Sequence, residues 1–330
     1  DGIRDYKVTG VQTCALPIFI PILLILLAPS SMGGHCAEPD INDDGYGDIV
    51  VGCFGLTSSP QTCDRIYVYF GGPGGTGTGP PRWEFQESDL GTVTFVGDMN
   101  GDGYADIAAS MNNNIITSAP REVRVFHGGP AGLPASPSQR ISEPSSEGDF
   151  GADLTSADVN GDGHADLLVS NEVRVYIYLS DGTSYPSTPT ADIVPPQSIG
   201  LISRAGDVNG DGYDDVLLSS PGSSSTGRVY LHLGGPSGLD PSPAATLFCV
   251  DGTPPNGLPR CNDAPLYGHD IGPAGDVNAD GYDDWIVGAW WEGASALSPT
   301  GGLFLYFGGS SVSSPEYTVI DGQRDISGNY

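Results

Sequence analysis

The chain has 330 residues, enough for one large domain or two ordinary ones, and a net charge of -29. Its 49 glycines and 28 prolines predict many short strands joined by turns. The charge excludes nucleic acid and anionic membrane surfaces as partners, because both require a basic protein surface.

Residues 1–18 precede the patterned part of the chain. The run Val8–Ile18 resembles the translation of a sequencing-adapter oligonucleotide, and the only lysine of the chain, Lys7, lies in the same block. We therefore expect residues 1–18 to be artefactual and foreign to the fold. A natural N-terminal extension is the alternative.

Residues 19–37 contain an apolar run, Phe19–Ala28, followed by small residues. The run is too short to span a bilayer as a helix and is typical of the apolar core of a secretory signal peptide. A buried strand is the alternative. We expect residues 19–37 to be a truncated signal peptide, and the mature chain to be secreted or at the cell surface without membrane insertion.

Four of the six cysteines form two pairs that are close in sequence, Cys53/Cys63 and Cys249/Cys261. In an exported protein such pairs predict disulfides that close short loops. A metal site would have the tighter C-x-x-C spacing.

A nine-residue pattern, Asp-x-Asn-x-Asp-Gly-x-x-Asp, occurs five times, with starts 49 to 69 residues apart. We call its copies loops 1 to 5; they span residues 40–48, 98–106, 158–166, 207–215 and 276–284. Repetition on this scale is typical of solenoids and propellers. Each loop leads into an apolar strand, and a second strand then ends at a Gly-Gly pair in four of the five units. Weaker third and fourth strands complete units that predict an all-β fold, a β-propeller of four-stranded antiparallel blades.

The loop pattern predicts calcium sites. Ca²⁺ takes six to eight oxygen ligands, and side chains at positions 1, 3 and 5 point inward from a tightly curved loop. Glycine at position 6 permits the turn, the position 7 carbonyl contributes, and the position 9 carboxylate closes the shell. The expected ligands are Asp40, Asn42, Asp44, Tyr46, Asp48; Asp98, Asn100, Asp102, Tyr104, Asp106; Asp158, Asn160, Asp162, His164, Asp166; Asp207, Asn209, Asp211, Tyr213, Asp215; and Asp276, Asn278, Asp280, Tyr282, Asp284.

Two alternatives bear on this prediction. An EF-hand would require a bidentate glutamate at position 12, where this chain has Val51, Ala109, Val169, Leu218 and Val287. A turn without an ion is the other alternative, and five complete copies favour the ion. With dissociation constants of about 10⁻⁴ to 10⁻³ M, five sites at about 1 mM calcium contribute roughly 2–7 kcal/mol to folding. The calcium is therefore expected to be structural.

The repeats resemble the FG-GAP repeats of the integrin α-subunit propeller and of bacterial secreted proteins. The resemblance is carried by Phe150-Gly151 before loop 3 and by the Ala-Gly pairs at 205–206 and 274–275 before loops 4 and 5. It implies a propeller domain over residues 38–330. Unit 1 lacks a strand before its loop. Either the C-terminal segment supplies that strand and closes a five-bladed ring, or the chain is a fragment of a six- or seven-bladed propeller; we favour the fragment.

The sequence carries no G-x-S-x-G, H-E-x-x-H or phosphate-binding glycine motif. We therefore predict a binding or adhesion scaffold without catalytic activity, for an unknown protein or glycan ligand. A secreted enzyme, or an accessory domain of one, that acts on polysaccharide or another polymer is the alternative. Trp285 is expected to be buried, whereas Trp290 and Trp291 cannot both point inward from one strand.

Overall fold

The computed structural model describes residues 6–9, 39–53, 65–75, 80–87, 89–111, 121–221, 227–248, 266–290 and 302–321. Twenty strands form five four-stranded antiparallel sheets, and the described residues contain no helix. The predicted all-β class with four-stranded propeller blades is thereby confirmed. No segment of this described part is a helix long and apolar enough to cross a membrane.

Each sheet, called a blade, joins its strands in chain order. Blade 1 contains β1 (Tyr6–Thr9), β2 (Ile49–Cys53), β3 (Arg65–Tyr69) and β4 (Trp83–Gln86). Blade 2 contains β5 (Leu90–Gly97), β6 (Asp106–Met111), β7 (Glu122–Phe126) and β8 (Gln139–Ser142). Blade 3 contains β9 (Asp153–Ala157), β10 (Asp166–Ser170), β11 (Val175–Tyr178) and β12 (Ala191–Ile193). Blade 4 contains β13 (Leu201–Gly206), β14 (Asp215–Ser220), β15 (Arg228–His232) and β16 (Ala245–Phe248). Blade 5 contains β17 (Leu266–Gly275), β18 (Asp284–Trp290), β19 (Gly302–Tyr306) and β20 (Tyr317–Asp321).

The chain divides into two compact units. The first comprises residues 1–158 and 162–193, and the second comprises residues 159–161 and 194–330. The first unit therefore holds blades 1 to 3, and the second holds blades 4 and 5. Each unit has its own apolar core, with Phe126 and Phe150 in the first and Trp285 in the second.

Burial varies from strand to strand within a blade. The second strands β6, β10 and β14 are buried at every residue. Both of their faces are covered, which explains why the sequence shows continuous apolar runs there. The outer strands β8 and β16 expose alternate residues, as expected where one face meets solvent. The predicted burial of Trp285 is confirmed, since its side chain is fully buried.

The first strand of blade 1 comes from the N-terminal block. Residues Tyr6–Thr9 pair antiparallel with β2, from Tyr6 opposite Cys53 to Thr9 opposite Val50. The segment supplies the strand that unit 1 lacks in the repeat pattern, the place proposed for the C-terminal segment in a closed five-bladed ring. The foreign origin of residues 1–18 stays a prediction, as do the signal peptide at 19–37 and the boundaries of the propeller domain.

The predicted disulfides fall largely outside the described residues. Cys63, Cys249 and Cys261 are outside the described residues, and so is Trp291. Both cysteine pairs therefore stay predictions.

Candidate metal centres

All five loops occupy the same place in their blades, between the first and the second strand. Each turns sharply at position 6, where Gly45, Gly103, Gly163, Gly212 and Gly281 have φ of 85°, 93°, 88°, 91° and 92°. A Cβ added at any of these glycines would meet nothing within 4 Å. Glycine is therefore required for the backbone conformation and not for space.

The position 1 aspartate organises each loop through both carboxylate oxygens. In loop 4, Asp207 Oδ1 accepts the N–H of Asp211 at 3.0 Å and Oδ2 accepts that of Gly212 at 2.8 Å. The same two bonds recur in the other four loops, with lengths of 2.7 to 3.2 Å. The repeated sequence therefore folds into five copies of one local structure.

Positions 3 and 5 converge on the same turn. In loop 4, Asn209 Oδ1 accepts the N–H of Asp211 at 2.9 Å, and Asn209 Nδ2 donates to Asp211 Oδ2 at 2.9 Å. Loops 1, 2 and 5 repeat both bonds. In all five loops, Oδ1 of the position 5 aspartate accepts the N–H of position 7. The structure thus brings together the predicted side-chain ligands at positions 1, 3 and 5.

The position 9 aspartate has a role that the sequence analysis missed. It is buried in every loop, at Asp48, Asp106, Asp166, Asp215 and Asp284. In loop 4, Asp215 Oδ2 accepts the N–H of Val208 and Oδ1 accepts that of Gly234, both at 2.9 Å. Gly234 belongs to the Gly-Gly turn that ends the third strand of the same blade. The carboxylate therefore fastens the start of the loop to a turn that is 19 residues away.

The position 9 aspartates of the other blades bind the equivalent turn in the same way. Asp48, Asp106 and Asp284 accept the N–H groups of Gly71, Gly128 and Gly308 at 2.7 to 2.9 Å. In blade 3, Ser180 stands in place of the first glycine, and its N–H still donates to Asp166 at 2.8 Å. A sequence signal existed, since each repeat pairs a position 9 aspartate with a turn at the end of its third strand.

Burial changes the acidity of the position 9 carboxylates. It raises the pKa of Asp48 to about 6 and the pKa values of Asp106 and Asp215 to about 7, against the lowering effect of two backbone N–H donors. The pKa of Asp284 is raised for the same reason. The neighbouring aspartates at positions 1 and 5 add to each of these increases by repulsion.

The residues at positions 1, 3 and 5 fit a hard divalent cation, because they offer carboxylate and amide oxygens from one exposed turn. Each loop contributes two such aspartates and one asparagine, and the third aspartate is engaged by backbone N–H groups. Accordingly, no group of three or more His, Cys, Asp or Glu residues suited to a metal ion exists among the described residues. Oδ2 of each position 1 aspartate accepts one backbone N–H, from the position 6 glycine, and a carboxylate oxygen carries two lone pairs, so one lone pair remains for an ion. The full ligand set, including the position 7 carbonyls, stays a prediction.

Two histidines, His127 and His232, lie at the ends of equivalent third strands, β7 and β15. His127 Nδ1 lies 3.1 Å from Nδ2 of Asn100, the position 3 residue of loop 2. Burial lowers the pKa of His127, while Asp102 and Asp98 oppose that change. His232 Nδ1 instead donates to the carbonyl of Asp240 at 2.8 Å, deep in blade 4. His127 therefore contacts loop 2, whereas His232 is part of the packing of blade 4.

Part of the chain is similar to known repeat proteins. A family model described as "FG-GAP-like repeat" matches residues 40–109 and 158–218, which include loops 1 to 4. Phosphatidylinositol-glycan-specific phospholipase D of Bos taurus is 31% identical over 159 residues, covering 42% of this chain and 18% of the relative. Integrin alpha-IIb of Mus musculus is 33% identical over 170 residues, covering 45% of this chain and 15% of the relative. The chain thus spans less than a quarter of the length of these curated relatives.

The chain also resembles solved structures at low sequence identity. One is an Agrocybe aegerita lectin studied for its recognition of non-reducing terminal N-acetylglucosamine. It has 14% sequence identity and a TM-score of 0.44, with 85% of this chain and 78% of the lectin chain covered.

Proposed function

The chain belongs to the FG-GAP repeat family of the integrin-α type, and from that premise we propose that it is an extracellular calcium-binding β-propeller. Its calcium is structural, and the propeller acts as a binding or adhesion scaffold for a protein or glycan ligand. The family membership supports the scaffold, and the loops support the calcium.

One observation carries the calcium proposal. In five loops, the position 1 aspartate accepts the N–H groups of positions 5 and 6, and the position 5 aspartate accepts that of position 7. These bonds hold two carboxylates around a single exposed turn, and in loops 1, 2, 4 and 5 the position 3 amide oxygen accepts the N–H of position 5 as well. The carboxylates repel one another, so a bound divalent cation would stabilise the closed loop.

The position of the loops supports a structural role for the ion. Each loop is fastened to the Gly-Gly turn, or its equivalent, by a buried aspartate of the same repeat. An ion that closes the loop therefore also stabilises the edge of the blade. The chain's acidic charge of -29 is partly offset when five divalent cations bind.

Calcium titration of the chelator-treated chain by isothermal calorimetry tests this proposal. About five ions are expected to bind, with dissociation constants of about 10⁻⁴ to 10⁻³ M. A matched variant, Asp280→Ala, removes the position 5 ligand of loop 5 and should reduce the number of bound ions by one. An absence of binding at millimolar calcium would refute the calcium proposal.

The second candidate is a secreted enzyme, or an accessory domain of one, that acts on a polymer. The match to the phospholipase D relatives favours it, although this chain aligns with only 18% of the bovine protein. A glycan array together with a screen for hydrolase and lyase activity separates the two candidates. Binding without turnover supports the scaffold, and turnover supports the enzyme.

A further inference from the structure

We propose that loops 4 and 5 bind their ions cooperatively, because residues of loop 5 hold the ligand-bearing backbone of loop 4 in place. This inference rests on the proposed function, since it concerns the ions of the same loops. Both loops lie in the second compact unit, so their contacts are internal to that unit.

The main contact joins position 8 of loop 5 to position 1 of loop 4. The N–H of Asp207 donates to Asp283 Oδ2 at 3.0 Å, and the N–H of Asp283 donates to the carbonyl of Asp207 at 3.1 Å. Asp207 is the residue whose carboxylate organises loop 4. Two hydrogen bonds between Asp207 and Asp283 therefore hold the backbone of the position 1 residue of loop 4 against loop 5.

A second contact is made by the side chain at position 7 of loop 5. A Cβ on Gly210 would lie 2.7 Å from Cε1 of Tyr282, so the tyrosine ring rests directly against this glycine. Gly210 also donates its N–H to Asp207 Oδ1 at 2.7 Å. The ring thus covers a residue that itself holds the position 1 carboxylate.

The Gly-Gly turn of blade 5 makes the third contact. The N–H of Gly309 donates to the carbonyl of Val208, position 2 of loop 4, at 2.8 Å. The preceding residue, Gly308, donates to Asp284 of loop 5 at 2.9 Å. One turn therefore links position 9 of loop 5 to position 2 of loop 4.

These contacts give a physical route for cooperativity. Closing loop 5 around an ion fixes Tyr282, Asp283 and the turn at Gly308. Asp207 then meets partners that are already ordered, so closing loop 4 around its own ion loses less conformational entropy. By linkage, an ion in loop 4 increases the affinity of loop 5 by the same factor.

Loops 1 and 2 provide an internal comparison in the first unit. The N–H of Ala105, position 8 of loop 2, donates to the carbonyl of Asp40 at 2.8 Å, and Gly129 donates to the carbonyl of Ile41 at 2.9 Å. Alanine has no carboxylate to accept the N–H of Asp40. The coupling between loops 1 and 2 is therefore expected to be weaker than that between loops 4 and 5.

Hydrogen exchange with mass spectrometry, on the full chain titrated with calcium chloride, tests the proposal. The protected amides include those of Asp211 and Gly212, which the position 1 carboxylate binds. In the unaltered chain, loops 4 and 5 should become protected at the same calcium concentration. Asp280→Ala, which impairs loop 5, should raise the midpoint for loop 4 by about fivefold or more.

Variants at position 8 separate the contact from general damage. Asp283→Ala installs the alanine that loops 2 and 3 carry, and should raise the loop 4 midpoint and make it less sensitive to Asp280→Ala. Asp214→Ala is the matched control, because Asp214 occupies position 8 of loop 4 and pairs with Arg204 at 2.9 Å. It should leave the dependence of loop 4 on loop 5 intact.

The outcomes distinguish this proposal from the proposed function. Equal loop 4 midpoints with and without Asp280→Ala would overturn the coupling while leaving calcium binding in place. No calcium-dependent protection in any loop would overturn both. If Asp280→Ala fails to fold, which loss of protection in β18 would reveal, Asn278→Ala replaces it, because it removes the position 3 ligand of loop 5 and keeps Tyr282 and Asp283. An unchanged loop 4 midpoint would then refute the coupling.

Discussion

At the scale of single residues, the repeat contains two kinds of aspartate that the sequence pattern does not distinguish. Those at positions 1 and 5 hold the turn and are half-buried or exposed, whereas the one at position 9 is buried and accepts two backbone N–H groups. The sequence predicts the first kind, because their partners lie within five residues. Two bonds are made at longer range: the Asp215 carboxylate accepts from Gly234, 19 residues away, and the backbone N–H of Asp207 donates to Asp283, 76 residues away. Spacing within the motif could not reveal these partners.

Replacement of Asp215 by asparagine should destabilise the fold even without calcium. An amide at this position faces two N–H donors and can accept only with its oxygen, leaving a buried donor unpaired at a cost of about 1–3 kcal/mol. Asp211→Asn, at exposed position 5, is the matched control and should change the free energy of unfolding by less than about 0.5 kcal/mol in chelator. Urea unfolding at pH 8 in chelator measures the free energy of unfolding of both variants. Equal losses would contradict the role of Asp215 in fastening the loop to the turn.

His232 should make blade 4 sensitive to acid. Its side chain is 2% exposed, and burial lowers its pKa below the ordinary value of 6.5. The folded state therefore binds the proton less readily than the unfolded state, so stability is lost as pH falls through about 6.5 towards the lowered pKa. His232→Asn keeps a donor for the Asp240 carbonyl but does not titrate.

The comparison of His232→Asn with the unaltered chain isolates this effect. Between pH 7.5 and 5.5 in chelator, the unaltered chain should lose up to about 1.4 kcal/mol more free energy of unfolding than the variant. Urea unfolding at the two pH values measures the difference. Parallel losses in both proteins would show that His232 does not titrate on unfolding.

At the scale of elements, the apolar run after each loop predicted the second strands correctly, and the irregularities before the loops were missed. The register shifts between Phe95 and Gly97, between Arg204 and Gly206, and between Pro273 and Gly275. Each shift ends at a glycine with φ of 67° to 88°, directly before a loop. Blade 3 has Ala157 there and keeps a regular register. The bulge depends on backbone conformation, which apolar periodicity does not report.

Alanine at these glycines should have two different effects. Gly97→Ala would meet only ordinary contact, 3.6 Å from Ala165, so the positive φ alone should cost about 1–2 kcal/mol. Gly206→Ala should cost more, because its Cβ would lie 2.2 Å from Asp283 Oδ2. Urea unfolding ranks the two variants, with Ala157→Gly as the control at the same place in blade 3. A larger loss for Gly97→Ala would contradict this account.

At the scale of the whole molecule, the repeats place five similar acidic loops at equivalent positions of five blades. The blades could be predicted from the sequence because each repeat carries its own strands and turn. The contacts between neighbouring repeats could not, because they depend on single positions such as Asp283, where loops 2 and 3 have alanine. The match to the FG-GAP-like repeat model supports the scaffold, while calcium binding, secretion and the ligand are proposals.

The central claim is that calcium is a folding ligand of this propeller. Five sites with affinities typical of extracellular modules would add roughly 2–7 kcal/mol at about 1 mM calcium. The most direct test is the melting temperature of the chain in 1 mM calcium chloride and in excess chelator, with magnesium chloride as the control for ionic strength. The account predicts a melting temperature higher by at least about 5 °C in calcium. An unchanged melting temperature would contradict it.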